Sequence, residues 1–135
     1  VEVSFGEQFI DNIRAILKDR PIDYLVVDHM EPDHSSSIKT LRLLYPEMQI
    51  VGNAKTLQML DGYYGIHTLT REVKEGESIS LGQKNLSFYM APMVHWPEVM
   101  VTYCPEHKVL FSADAFGTFG ALNGGILRGA LPTRR

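Results

Sequence analysis

Four groups able to hold a metal fall within six residues of this chain: His29, Glu31, Asp33 and His34, in the run His29-Met30-Glu31-Pro32-Asp33-His34. Imidazole nitrogens and carboxylate oxygens together make a hard, mixed donor set of the kind that suits iron or manganese. One histidine beside one acid reads as a surface ion pair. Four donors packed this closely, directly after an apolar run, read as a metal loop. Pro32 restricts the backbone between them, so an arriving metal has little chain left to order. Two later residues occupy the same kind of position: His95 in Ala91-Pro92-Met93-Val94-His95-Trp96-Pro97, and Asp114 in Leu110-Phe111-Ser112-Ala113-Asp114-Ala115. Each is a single polar group at the exit of an apolar strand. Alone, His95 reads equally well as a core histidine and Asp114 as a turn or cap residue; their shared position joins both to the metal set. Three imidazoles and three carboxylates allow two ions, and a carboxylate can bridge them. Asp114, arriving from a separate loop, is the natural bridging group. Cys104 is the only cysteine, which excludes a thiolate zinc site and an internal disulfide. It reads as a small packed apolar residue. His67 and His107 read as surface residues.

The elements that must position these donors are legible in the apolar spacing. Phe9, Ile10, Ile13, Ile16 and Leu17 predict a helix from Gly6 to Lys18, stopped by Pro21. Asp23 to Asp28 reads as a fully buried strand, and His29 to Ser37 as the polar loop that leaves it. Ligands tend to bind at that edge of an open α/β sheet. Ile38, Leu41, Leu44 and Tyr45 predict a second helix, capped by a serine of Ser35-Ser36-Ser37 and ended by Pro46. A short strand at Gln49-Ile50-Val51 and a helix from Ala54 to Asp61 follow. Five short strands are then expected: Ile66–Leu69, Ser78–Leu81, Leu86–Tyr89, Val99–Tyr103 and Val109–Phe111. Arg71 to Glu77 reads as a solvated loop. Helices alternating with strands, then a meander, predict a mixed α/β layered fold without internal repeats or a domain linker.

Bulk composition narrows the partners. The chain has 135 residues, 44% apolar and 21% charged, enough for one domain with a core. A net charge of -3 gives no general attraction to nucleic acid or an anionic membrane. No apolar run approaches the ~20 residues that span a bilayer, and no signal-peptide pattern follows Val1. The expected location is cytoplasmic. The opening residues read as the middle of a longer chain, and Gly129 to Arg135 has no apolar period.

The pattern His-x-Glu-x-Asp-His, then His95 sixty-one residues after His34 and Asp114 nineteen later, resembles the flavodiiron proteins, A-type flavoproteins that reduce oxygen or nitric oxide. The similarity runs from about Phe5 to Gly125 and includes Asp23-Tyr24-Leu25-Val26-Val27-Asp28, His95-Trp96-Pro97-Glu98 and Phe111-Ser112-Ala113-Asp114-Ala115-Phe116-Gly117. The resemblance implies a metallo-β-lactamase-like αββα sandwich, followed in the family by a flavodoxin domain that binds FMN. It implies two non-haem irons: one held by His29, Glu31, His95 and Asp114, the other by Asp33, His34 and the bridging Asp114. It also implies oxygen or nitric oxide as substrate, and electrons from FMN supplied by a flavodoxin domain or rubredoxin. Trp96 would stand near the pocket, as a pocket residue or as a structural aromatic.

The opening strands of the family fold, its flavodoxin domain and a further metal histidine beyond Asp114 have no counterpart in residues 1–135. The chain therefore reads as one partial domain whose second iron, short of a ligand, binds weakly or not at all. Exposed sheet edges would favour a homo-oligomer. Two alternatives stand beside this reading. One is a metallo-β-lactamase-like hydrolase working through a metal-bound hydroxide; it typically has a histidine where this chain has Glu31. The other is a truncated metal-binding fragment without catalysis.

Overall fold

A computed structural model describes residues 1–117 of the chain; the end of the family resemblance at Gly125 and the tail from Gly129 lie outside them. A 3-10 turn, Val3–Phe5, leads into α1 (Gly6–Leu17), β1 (Tyr24–Val26), α2 (Pro32–Ser35), α3 (Ile38–Leu44), β2 (Gln49–Gly52), α4 (Ala54–Tyr64) and β3 (Thr70–Glu72). A run of strands follows: β4 (Ser78–Ser80), β5 (Asn85–Met90), β6 (Met100–Cys104) and β7 (Val109–Phe111). β1, β2 and β3 form a parallel sheet in that order, with α3 and α4 in the crossovers. β4 to β7 form an antiparallel meander.

Strand alternation divides the first sheet between two cores. Leu25 and Ile50 face the helices and pack with Ile10, Ile38, Leu41 and Leu60. Tyr24, Val26 and Val51 face the second sheet and meet Ile79, Phe88 and Met100. The described residues thus make three layers, helices, sheet and sheet, of the expected mixed α/β sandwich.

Several expected boundaries move, each for a tertiary reason. β1 is half-buried rather than fully buried, because among the described residues it stands at the sheet edge with β2 as its one neighbour. The strand expected at Ile66–Leu69 forms instead at Thr70–Glu72, where it pairs with Ile50 to Gly52. Part of the stretch read as solvated loop is therefore sheet, and Val73 is buried between the sheets. Ile16 is 72% exposed, so the apolar face of α1 ends at Ile13 and Leu17. The loop after β1 contains a helical turn, α2, with Pro32 at its first position, where a missing N–H costs nothing. That turn also defeats the expected serine cap. Ser37 enters α3 already helical (φ -84°, ψ -5°), so its side chain makes no capping bond. Ser35 instead donates to the carbonyl of Met30 at 3.0 Å and pairs with Tyr64 Oη at 2.8 Å.

The turn between β6 and β7 carries a pH-dependent tie. Glu106 accepts from the backbone N–H of Asn85 at 3.0 Å and from its side-chain amide at 2.7 Å. The backbone bond, then the side-chain bond, hold the Glu106 carboxyl down at about 2. A lowered acid stabilises the fold above its ordinary value and loses that contribution as pH falls through the folded value. Glu106→Gln is therefore expected to melt below the wild type at pH 7, with the difference closing between about pH 4.5 and 2. A difference that stays constant across that range would remove the ionic origin.

Candidate metal centre

The donors meet where the two sheets are pinned together. Beyond β1 the Val27 N–H still reaches Val51 of the first sheet, while the Asp28 carbonyl accepts the N–H of Met100 in the second. Thr102 Oγ1 donates to Asp28 Oδ1 at 2.6 Å. Burial pushes the Asp28 carboxyl up to about 6, against the opposing pull of that hydroxyl. His29 follows at once, and its side chain is buried.

Around His29 the other predicted donors close in. Its Nε2 lies 3.2 Å from Glu31 Oε2 and 3.6 Å from Asp114 Oδ2. The same Asp114 oxygen is 3.1 Å from His34 Nε2 and 3.4 Å from His95 Nε2. His95 Nε2 is also 3.1 Å from Glu31 Oε2. One atom each from His29, Glu31, His34 and Asp114 lie within 4.8 Å of one another. Asp33 sits at the rim: its side chain is 58% exposed and among the described residues its Oδ2 reaches only His34 Nε2, at 3.4 Å. Five predicted donors therefore converge and the sixth stands beside them.

Backbone conformation helps to aim the late donors. Ala113 (φ 46°) precedes Asp114 directly and Met93 (φ 67°) lies two residues before His95. Both occupy the left-handed region that disfavours L side chains, a strain that clusters at functional sites. Trp96 packs edge-on against His29, ring centroids 5.6 Å apart, so it stands at the cluster as expected. His67 is exposed beside Asp61, His107 is exposed, and Cys104 is buried.

Glu98 is the residue that donor spacing does not single out. Its carboxylate is buried, with Oε1 2.8 Å from His29 Nδ1 and 2.9 Å from the Met30 N–H. Its carbonyl accepts from Asn53 Nδ2 at 2.7 Å, and Asn53 caps α4 by accepting from the Thr56 N–H. The signal in the sequence is faint: an acid lodged between Pro97 and the apolar run from Val99.

Residues 3–125 match the family described as ODP family beta lactamase. The chain is 38% identical over 114 residues to a nitric oxide reductase of Moorella thermoacetica, an alignment covering 84% of this chain and 29% of that protein. A point mutant of the flavo di-iron protein from Thermotoga maritima superposes with TM-score 0.80 at 29% identity, covering 95% of this chain and 32% of that one. Rubredoxin oxygen:oxidoreductase from Desulfovibrio gigas superposes with TM-score 0.76 at 28% identity, covering 82% and 28%. The chain spans about a third or less of each of these proteins.

Proposed function

Since the chain belongs to the ODP family of beta-lactamase-like domains, we propose that it is the diiron-binding part of a flavodiiron oxygen or nitric oxide reductase. One observation carries this reading. Three ring nitrogens, from His29, His34 and His95, lie 3.1–3.6 Å from a single oxygen of Asp114. Lone pairs of nitrogen and oxygen facing one another repel. At His29, whose Nδ1 donates to Glu98, the Nε2 lone pair of the neutral ring faces Glu31 Oε2 and Asp114 Oδ2, and a metal ion or an added proton between them turns that repulsion into attraction.

The donor chemistry fits iron: hard oxygens and imidazoles, with no thiolate. His29, Glu31, His95 and Asp114 would hold one ion, and Asp33, His34 and Asp114 the other. The Asp114 oxygen reaches ring nitrogens of both groups, which supports its bridging role. Once bound, a ferrous pair supplies electrons to oxygen or nitric oxide. The chain's own work is positional. It buries His29, keeps Glu31 and Asp114 about one-third exposed toward solvent, and leaves an open side for substrate. That side is a cavity of about 970 Å³ lined by Glu31, His95, Ala113, Asp114 and Phe116.

Within this reading residues 1–135 are one partial domain. FMN would sit in a flavodoxin domain outside them, and rubredoxin or a similar redox protein would feed it. Among the described residues no helix is long and apolar enough to cross a membrane. A cytoplasmic location belongs to the same reading. So does a homo-oligomer joined through open strand edges such as β7, which among the described residues pairs only with β6; a sedimentation mass of one chain at every concentration would remove it. Glu31 disfavours the hydrolase alternative, because its negative charge stabilises oxidised iron where that class places a neutral imidazole.

The test is metal content after anaerobic loading with ferrous iron and desalting, followed by oxygen and nitric oxide consumption with a reduced flavin donor. Retained iron is expected, and consumption is expected only where both ions are held. Preference for zinc with ester hydrolysis would replace the proposal by the hydrolase, and a folded chain retaining no metal would overturn it.

A further inference from the structure

We infer that Glu98 is a positioning residue that keeps the proton of His29 on Nδ1 and so presents a bare Nε2 to the metal centre. Oε1 of Glu98 already accepts the Met30 N–H at 2.9 Å, a donor whose direction the backbone sets. The same oxygen faces His29 Nδ1 at 2.8 Å, so the ring nitrogen must donate there. A neutral imidazole with its proton on Nδ1 has its lone pair on Nε2. That lone pair points toward Glu31 Oε2 and Asp114 Oδ2, where a metal ligand is needed.

Burial argues that the carboxylate is present for more than packing. Glu98 is 1% exposed, and its Oε2 has no hydrogen-bond partner among the described residues. A buried carboxylate oxygen without a partner is costly, and an apolar residue would fill the space at less expense. A carboxylate behind a ligating histidine fixes ring orientation and raises ligand basicity, and its loss typically lowers metal affinity about 10–100-fold. Glu98 does this across a separation of 69 residues, from just before β6 in one sheet to just beyond the end of β1 in the other. Through its carbonyl it also engages Asn53, the cap of α4, so the second contact of its backbone secures its own position.

The assignment rests on the proposed metal function only for its purpose; its geometry can be tested without metal. Long-range proton–nitrogen correlation spectra of the metal-free chain should show a proton on Nδ1 of His29 at every pH where the chain is folded. A neutral ring with a bare Nδ1 would overturn the inference. Glu98→Gln keeps the shape and an acceptor but lacks the charge. It should bind ferrous iron, titrated anaerobically, about 10–100-fold more weakly, with the spectra of His34 unchanged. Wild-type affinity in a folded Glu98→Gln would overturn the positioning role. If this variant does not fold, the wild-type spectra alone decide. A wild-type chain that holds the Nδ1 proton yet binds no iron would sink the proposed function and still support Glu98 as the group that orients His29.

Discussion

Asp114→Ala is expected to lower ferrous-iron affinity by more than the ~100-fold that marks the upper range for losing an outer-shell partner. Among the described residues Asp114 is the one group within reach of all three histidines, at 3.1–3.6 Å. On the proposed assignment, removing it would take a ligand from each ion at once and leave the three imidazoles without the oxygen they face. The fold should tolerate the change, since the side chain is 36% exposed and lies outside both apolar cores. The metal-free melting temperature is therefore expected to stay near that of the wild type. Asp33→Ala makes the contrast. Among the described residues that side chain reaches only His34, so on the proposed assignment this variant should lose the second ion and keep the first. Calorimetric titration of the two variants side by side reads the difference. Equal losses would mean that Asp114 does not bridge, and an unchanged Asp114→Ala would place the metal elsewhere.

The second large effect lies in the core rather than the site. Phe88→Ala should destabilise the domain by about 3–5 kcal/mol, the usual cost of emptying a buried aromatic position. Phe88 is fully buried between the sheets, against Val51, Val73, Ile79 and Met100. Stabilities of about 5–15 kcal/mol are typical, so this one side chain represents a large fraction of the total. The consequence reaches the metal loop, because β5 and β6 pair through Phe88 and Thr102, and Thr102 holds Asp28. Urea unfolding of metal-free protein measures the loss. Ferrous iron should restore part of it, since a ligand that binds only the folded chain raises apparent stability. A loss below about 1 kcal/mol would show that the inter-sheet core is not what holds the layers together.

Much of this was legible because it is local. Pro21, Pro46 and the 3.6-residue apolar spacing mark α1 and α3 with little help from the rest of the chain. The strands at Gln49, Leu86 and Val109 stand within a residue of their apolar runs. β3 was not legible. Ile66 to Leu69 is the more apolar stretch, yet the strand forms at Thr70-Arg71-Glu72, because β2 offers its edge there and Val73 can then enter the inter-sheet core. Likewise the serine run before α3 looks like a cap, but α2 hands the chain over in helical conformation and Ser35 turns inward to Tyr64.

The site divides in the same way. Sequence by itself determined which atoms are available: the types and spacing of His29, Glu31, Asp33 and His34 supply a hard, mixed oxygen and nitrogen donor set. His95 and Asp114 were also readable, as polar groups at strand exits. Only the tertiary structure decided that three imidazoles meet at one oxygen of Asp114, that Asp33 stays at the rim, and that Glu98 stands behind His29. Those outcomes depend on how one sheet packs over the other. The contact between His29 and Glu98 spans 69 residues, and its existence follows from layer packing rather than from any property of the neighbouring chain.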